Sequence, residues 1–139
     1  MKFAFLTFAL AIFFHGYSQN ILPDANTIIV KNVGFNQVCN ALLDSGYKIE
    51  KKDADLQTVR TEAKQYPKYW NATYTVDIRV KDSTAFITAK SHSTFGEMEI
   101  SNNCNKKGES RPKSMITYPF LLLSSFATCF KQEVTYEKR

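Results

Sequence analysis

Two consecutive segments in the middle of the chain alternate strictly between apolar and polar residues. The apolar positions of the first segment are Trp70, Ala72, Tyr74, Val76, Ile78 and Val80. If Asp82 and Ser83 form a two-residue turn, the second segment places Ala85, Ile87 and Ala89 opposite the last three of these positions. All the apolar side chains then lie on one face, so the pattern predicts a β-hairpin with one buried and one hydrated face. The hydrated face displays Thr73, Thr75, Asp77, Arg79, Thr88, Lys90 and His92.

Helical spacing occurs in two segments, one on each side of this hairpin. In Phe35–Ser45 the apolar residues share one stripe of a helix, and Gly46 is placed to end it. Tyr118–Lys131 is densely apolar, and Pro119 suits the first turn of a helix. This second segment is shorter than the roughly 20 residues that cross a bilayer, so we expect a buried helix rather than one lying at a membrane surface.

The remaining segments complete an α+β fold of the helix-grip kind. Strands are predicted for Thr27–Val33, Tyr47–Lys52 and Gln57–Lys64. Met98 and Ile100 indicate a brief further strand in a polar loop of residues 96–114, and residues 132–139 form either a frayed charged tail or a last edge strand. We predict an antiparallel sheet of four to six strands with two helices on one face, in the order β-α-β-β-β-β-(β)-α, within a single domain of residues 19–139.

The N-terminus has the features of a cleavable secretory signal. Lys2 supplies a positive charge, and Phe3–Phe14 is an apolar run too short to span a bilayer. Small residues, Gly16 and Ser18, precede a predicted cut between Ser18 and Gln19. No cysteine lies near the cut for lipid attachment. The sequence therefore predicts residues 1–18 as a signal peptide and a periplasmic or secreted location for the remainder.

The charge of the chain argues against a nucleic-acid partner. Eighteen basic and thirteen acidic residues give a formal net charge of +5, and removal of Lys2 with the signal peptide leaves +4. These charges are interspersed, whereas nucleic-acid binding requires Lys and Arg clustered along one face. We expect neither a nucleic-acid partner nor a stable membrane span.

No arrangement of residues indicates catalysis, a cofactor or a metal. The chain after Ser18 contains a single histidine, His92, which is predicted on the hydrated face and has only Thr73 and Thr75 as neighbours across the hairpin. The carboxylate pairs Asp53 with Asp55 and Glu97 with Glu99 offer too few ligands for a calcium loop. We therefore expect a protein that is not an enzyme and that has no catalytic, cofactor-binding or metal-binding residues.

Three cysteines would lie in a compartment where disulfides persist. Cys39 is on the apolar stripe of the first helix, where a buried thiol is expected. Cys104 and Cys129 are the plausible disulfide partners, with three free thiols as the alternative.

Two surface segments are candidate binding sites. In the first, the aromatic residues Tyr66, Tyr69 and Trp70 flank a proline, and exposed rings of this kind stack on sugars or peptides. In the second, the polar loop concentrates positive charge, which suits an anionic lipid, a glycan or an acidic protein. Its basic residues are Lys106, Lys107, Arg111 and Lys113. The alternatives are a proline-broken connection for the first segment and a solvated loop for the second.

The segment Thr27–Thr61 resembles a helix-grip module of small bacterial envelope proteins. A strand enters a helix, Leu42-Leu43 precedes the step Gly46-Tyr47, and a short turn leads to a strand that ends at Arg60-Thr61. The outer-membrane assembly lipoprotein BamC has repeats of this general kind, although this chain has one unit and no lipidation cysteine. The end of the signal peptide also resembles those of Bacteroidetes-type bacteria. The resemblance implies an exported protein of a family of unknown function, with no catalytic residues to carry over.

These observations favour a non-catalytic binding or accessory protein with an unknown protein or glycan partner in the cell envelope. One alternative is a cystatin-like protease inhibitor, since a helix gripped by an antiparallel sheet suits both, although the Gln-x-Val-x-Gly hairpin is absent. The other alternative is an envelope-associated assembly or structural partner that uses the apolar helix at Phe120–Phe130.

Overall fold

The computed structural model describes residues 21–66, 72–103 and 114–139, so the predicted signal peptide lies outside it. The described chain is an α+β fold of eight strands and two helices. In chain order the elements are β1 Thr27–Lys31, α1 Phe35–Asp44, β2 Ile49–Asp53, β3 Thr58–Thr61, β4 Lys64–Gln65, β5 Thr73–Lys81, β6 Thr84–Ser93, β7 Gly96–Glu99, α2 Thr117–Thr128 and β8 Val134–Glu137.

The central hairpin of β5 and β6 has the predicted register. Val80 lies opposite Ala85, Ile78 opposite Ile87 and Val76 opposite Ala89. Asp82 and Ser83 form the turn, and both adopt positive φ angles, of 50° and 56°. Two central residues with positive φ are typical of the type I′ turn, whose twist matches that of the flanking strands.

The sheet is antiparallel and extends from the hairpin on both sides. Its order is β2-β3-β5-β6-β1-β8, and the short strands β4 and β7 pair with β5 and β6. The predicted number of four to six strands was too low. The single strand predicted for Gln57–Lys64 is two strands, because pairing with β5 stops after Arg60 and resumes at Lys64. The brief further strand indicated by Met98 is present as β7, which pairs with β6, so residues 96–99 do not belong to the predicted polar loop.

Helix α1 ends where the sequence predicts. Gly46 adopts a φ of 77°, and its amide donates to the Leu43 carbonyl while the Tyr47 amide donates to Leu42. This left-handed position is the usual helix end that glycine allows. The Lys64 ammonium adds hydrogen bonds to the carbonyls of Ser45 and Gly46, at 3.3 and 3.4 Å.

The turn that leads into helix α2 is organised by the Ser114 side chain. The Ser114 hydroxyl oxygen accepts hydrogen bonds from the amides of Ile116 and Thr117, at 3.1 and 3.0 Å, which satisfies two donors that the helix itself leaves unpaired. The helix buries Phe120, Leu123 and other residues against the sheet. Neither α1 nor α2 in the described ranges is long and apolar enough to cross a membrane.

The charged C-terminal segment includes an edge strand. β8 pairs with β1, and Ile28 lies opposite Tyr136. The Tyr136 side chain is only 8% exposed and its ring packs 6.0 Å from that of Phe120. The structure therefore contains an edge strand, and not only a frayed charged tail, within residues 132–139.

One hydrophobic core lies between the helices and one face of the sheet. Both helices contribute to the same cluster, which also contains Ile28, Val59, Tyr74 and Ile87 from four different strands. The aromatic rings interlock, because Tyr47 packs edge to face against both Tyr74 and Phe126. This arrangement leaves the other face of the sheet without a helix over it in the described part of the chain.

Candidate functional site

The open face of the sheet carries a row of side chains that runs across several strands. Thr58 on β3 lies opposite Arg79 on β5, which lies opposite Phe86 on β6, which in turn lies opposite Ile29 on β1. Directly opposite residues of an antiparallel pair share one face, so these four side chains form a continuous line. A parallel row places Lys51, Arg60 and Asp77 beside it.

A shallow groove of about 670 Å³ lies over this face. Its charged lining consists of five basic residues and two acidic ones, and these are Lys51, Arg60, Arg79, Lys81, Arg139, Asp53 and Asp77. Hydroxyl groups come from Thr27, Thr58 and Thr88, and the apolar part includes Leu56 and Phe86. The groove is thus basic and polar, with a small apolar component.

Arg60 and Asp77 form the internal ion pair of the groove. The Arg60 Nε donates to Asp77 Oδ1 at 2.6 Å, and both side chains are partly exposed. The hydrogen bond and the negative charge of Asp77 raise the pKa of Arg60 further above its usual range. Because the pair is solvent-accessible, its main effect is to hold the guanidinium in place rather than to stabilise the fold.

The backbone of Arg139 is held in place by two hydrogen bonds with the Asn26 side chain. The Asn26 side chain, on a buried residue, accepts from the Arg139 amide at 2.9 Å and donates to the Arg139 carbonyl at 2.7 Å. The guanidinium lies 4.6 Å from the centre of the Phe86 ring, within cation–π range, and its Nε donates to Glu137 at 3.0 Å. Arg139 is therefore positioned in the groove.

Three further cations of the groove, Lys51, Arg79 and Lys81, form no ion pair with another described residue. Arg79 lies between Thr58 and Phe86 in the row across the sheet. These three charges are available to a ligand without first breaking an ion pair within the described part of the chain.

A second polar cluster on the open face contains His92. Its Nε2 is 3.0 Å from the Thr75 hydroxyl, and its Nδ1 is 3.5 Å from Glu97 Oε2. The other Glu97 oxygen accepts from the Lys90 ammonium at 2.6 Å, which lowers the pKa of Glu97. His92 thus lies among exposed polar residues, as the alternation predicts, and is not among the residues that line the groove.

Of the predicted aromatic surface, only Tyr66 is in the described residues, and it belongs to the core. Its side chain is buried, its hydroxyl donates to the Ser91 hydroxyl at 2.9 Å, and its ring packs 5.4 Å from that of Tyr74. The other residues of the two predicted surfaces lie outside the described ranges, and these are Tyr69, Trp70, Lys106, Lys107, Arg111 and Lys113.

The described cysteines are both free thiols. Cys39 is buried, as its place on the helix stripe predicts, and burial raises its pKa. Cys129 is exposed at the end of α2 and faces residues of α1, including Gln37 and Asn40, across a surface depression. The described residues contain no disulfide, and Cys104, the predicted partner of Cys129, lies outside them.

In each carboxylate pair of the sequence, at least one member contacts another group of the fold. Asp53 accepts a hydrogen bond from the Leu56 amide at 2.9 Å and so organises the β2–β3 turn. Glu97 is bound to Lys90, whereas Glu99 lies opposite Lys90 in the β6–β7 ladder. Within residues 21–66, 72–103 and 114–139, no group of three or more His, Cys, Asp or Glu residues is arranged to hold a metal ion.

The sequence pattern does not predict the groove, but it does predict part of the sheet face that forms the floor of the groove. The alternation correctly places Asp77, Arg79 and Thr88 on a hydrated face. It gives no indication that Arg60 pairs with β5 or that Arg139 reaches Phe86 from the far end of the chain. Arg60 is in phase with the alternation of β3, and this is the one sequence signal that points toward the site.

No protein-family model matches the chain, and no curated protein matches it in sequence.

Proposed function

We propose that this protein is an exported, non-catalytic binding or accessory module that holds its partner in the basic groove on the open face of its sheet. The observation that carries the proposal is the groove itself, in which five basic side chains converge on a sheet face that no described helix covers. Charged side chains on an uncovered face of the sheet are accessible to a ligand or to a partner protein.

The predicted signal peptide supports a site of action outside the cytoplasm. The apolar run Phe3–Phe14 and the small residues before Gln19 are the features that export and cleavage require. The resemblance of Thr27–Thr61 to a module of bacterial envelope proteins supports the same location.

The chemistry of the groove favours binding over catalysis. Its lining supplies guanidinium, ammonium, carboxylate and hydroxyl groups, all of which recognise ligands by charge and hydrogen bonding. A general base poised near neutral pH is most often a histidine, and His92 lies instead in the separate cluster with Thr75 and Glu97.

A photo-crosslinking experiment tests the location of the binding surface. A photoreactive residue replaces Lys51 in the groove of the full-length protein, and the matched control carries it at Lys48, which is exposed but does not line the groove. Both variants are produced in the native organism and irradiated. We expect adducts at position 51 and not at position 48.

Two outcomes would overturn the proposal. Equal labelling at positions 51 and 48, or none at either, would show that the groove is not the binding surface. The intact mass of the purified natural protein tests export, because we expect a mature chain that begins at Gln19, and a cytosolic chain that begins at Met1 would refute it.

A further inference from the structure

We propose that the ligand of the groove is an acidic saccharide, in which the sugar rings carry carboxylate or phosphate groups. This inference rests on the proposed function and specifies the chemistry of its ligand. It follows from the charges of the groove, from its hydroxyl groups and from its position on the face of the sheet rather than at an edge.

The excess of positive charge in the groove favours a negatively charged ligand. Five basic residues face two acidic ones, and Asp77 is already engaged by Arg60. Arg79 lies centrally in the row across the sheet, while Arg139 is oriented from the side by Asn26. Guanidinium groups bind carboxylate and phosphate through paired hydrogen bonds, so this set of side chains is complementary to a ligand with several such groups.

The hydroxyl groups of the groove suit a sugar. The Thr58 side chain lies between Asp53 and Arg79 in the register of the sheet, and it forms no hydrogen bond to another described residue. The Thr88 hydroxyl donates to the Asp77 carbonyl at 3.3 Å and keeps its capacity to accept. Sugar hydroxyls, which both donate and accept, match a lining that alternates hydroxyls with charges.

An acidic peptide fits the same surface less well. Extended peptides gain affinity by adding a strand at a sheet edge, where backbone groups are unpaired. The groove extends from Lys51 and Asp53 on the edge strand β2 across β3, β5 and β6, and the backbones of these three interior strands pair with neighbours on both sides. Apolar pockets for peptide side chains are also scarce, since Leu56 is 68% exposed and the Phe86 ring is covered by Arg139.

The size of the groove fits a short segment of a saccharide. Its volume of about 670 Å³ is in the range of roughly 300–1,000 Å³ that is common for sites of small ligands. The site would therefore contact a few sugar rings, either of a free oligosaccharide or of a longer chain that passes across the sheet.

Isothermal titration calorimetry on the mature protein provides the test. The probes are a galacturonic acid hexamer and a phosphorylated mannose pentamer, compared with the neutral mannose pentamer and with a glutamate hexapeptide. We expect at least one acidic saccharide to bind at least tenfold more tightly than the neutral pentamer and the peptide. Binding should weaken as salt rises from 20 to about 300 mM, because exposed charges are screened.

Two matched variants locate the binding. Arg79→Gln removes one unpaired guanidinium and should weaken the binding of the acidic saccharide about tenfold, which corresponds to the loss of one charge-assisted contact. Lys48→Gln makes the same change of charge outside the groove and should alter binding less than twofold. Circular dichroism spectra of both variants confirm that they are folded.

The outcomes separate this inference from the proposed function. Tighter binding of the glutamate hexapeptide, equal binding of the neutral pentamer, or equal effects of the two variants would overturn the saccharide assignment. If no saccharide binds while crosslinking at position 51 yields a protein adduct, the inference fails and the proposed function stands. If position 51 yields no adduct and no probe binds, both fail.

Discussion

At the scale of single residues, Lys64 connects two parts of the fold that are distant in sequence. Its ammonium contacts the last carbonyls of α1 and lies 4.1 Å from the centre of the Tyr47 ring. A cation at the C-terminus of a helix is favoured by the helix dipole, and the ring adds a cation–π contact. Lys64 is thus an anchor between β4 and the end of α1.

Replacement of this anchor has a measurable cost. We expect Lys64→Met, which keeps most of the side-chain bulk, to lower the free energy of unfolding by about 1 kcal/mol through loss of the dipole and cation–π contacts. Urea denaturation measures the change. The control is Lys51→Met, because Lys51 is exposed and has no ion pair among the described residues, and it should change stability by less than about 0.5 kcal/mol. Equal effects of the two substitutions would contradict the anchoring role.

At the scale of elements, the turn between β5 and β6 contains one residue, Ser83, that is poorly suited to it. Asp82 and Ser83 both have positive φ angles, where glycine is favoured and serine is strained. The hairpin must therefore tolerate an unfavourable turn because its apolar face is well paired. A substitution that relieves the strain at Ser83 should therefore increase the stability of the fold.

We expect Ser83→Gly to raise the free energy of unfolding by about 0.5–1 kcal/mol, since glycine removes the backbone strain. Thermal and urea denaturation measure the gain. Thr94→Gly, in the turn between β6 and β7, is the control, because Thr94 is exposed and is not among the described residues with positive φ. It should be neutral or slightly destabilising, since glycine there only adds freedom to the unfolded chain. A loss of stability in Ser83→Gly would show that the turn is not strained.

The edge strand β8 yields a second prediction at this scale. Tyr136 is buried against Phe120, so we expect Tyr136→Ala to cost about 3 kcal/mol, as is usual when a large aromatic side chain is removed from a core. Urea denaturation measures the loss. Lys138→Ala, two residues further along and exposed, should have little effect. If the two variants were equally stable, β8 would not be part of the cooperative fold.

The sequence predicts the long elements well and the short ones poorly, for a physical reason. The β5–β6 hairpin and both helices are long enough for their periodicity to be unambiguous. β4, β7 and β8 have two to four residues each, so alternation within them carries almost no information, and only pairing with β5, β6 and β1 defines them. The interruption between Thr61 and Lys64 is likewise a property of pairing rather than of composition.

At the scale of the whole molecule, four tyrosines share the core. Tyr47, Tyr66, Tyr74 and Tyr136 are buried, and burial raises the pKa of each above the ordinary value of 10.0. For Tyr74, the hydrogen bond with Tyr47 raises the pKa further. The folded state therefore keeps these protons at a pH at which the unfolded chain releases them.

Stability should consequently decline in alkali. Below about pH 9 both states hold the protons and the tyrosines cause no pH dependence, whereas above about pH 10 the unfolded state is favoured as it ionises. Each of the four tyrosines should add to this loss of stability as the pH rises above the ordinary tyrosine pKa, because only the unfolded chain then releases the proton. Urea denaturation from about pH 8 to about pH 11 measures the decline. Tyr74→Phe, although less stable at neutral pH, should show a shallower decline, and an unchanged slope would contradict the assignment.

In the candidate site, too, only the residues that belong to a local pattern could be predicted from the sequence. Periodicity correctly assigns the floor residues Asp77, Arg79 and Thr88 to the hydrated face. The convergence of Arg60 and Arg139 on that floor depends on which strands are neighbours, and strand order is not encoded in any local pattern. The buried position of Tyr66 has the same origin, because its hydroxyl and ring find partners on β5, on β6 and near α2.

The pairing of β1 with β8 has a consequence for biosynthesis. Asn26, next to the first strand, is bonded to Arg139, and these residues are 113 positions apart. While the chain emerges from the ribosome, β1 therefore lacks one of its two neighbours until β8 has been made, and contacts of such separation form slowly. A nascent polypeptide with this topology therefore has an incompletely paired sheet until β8 has been synthesised.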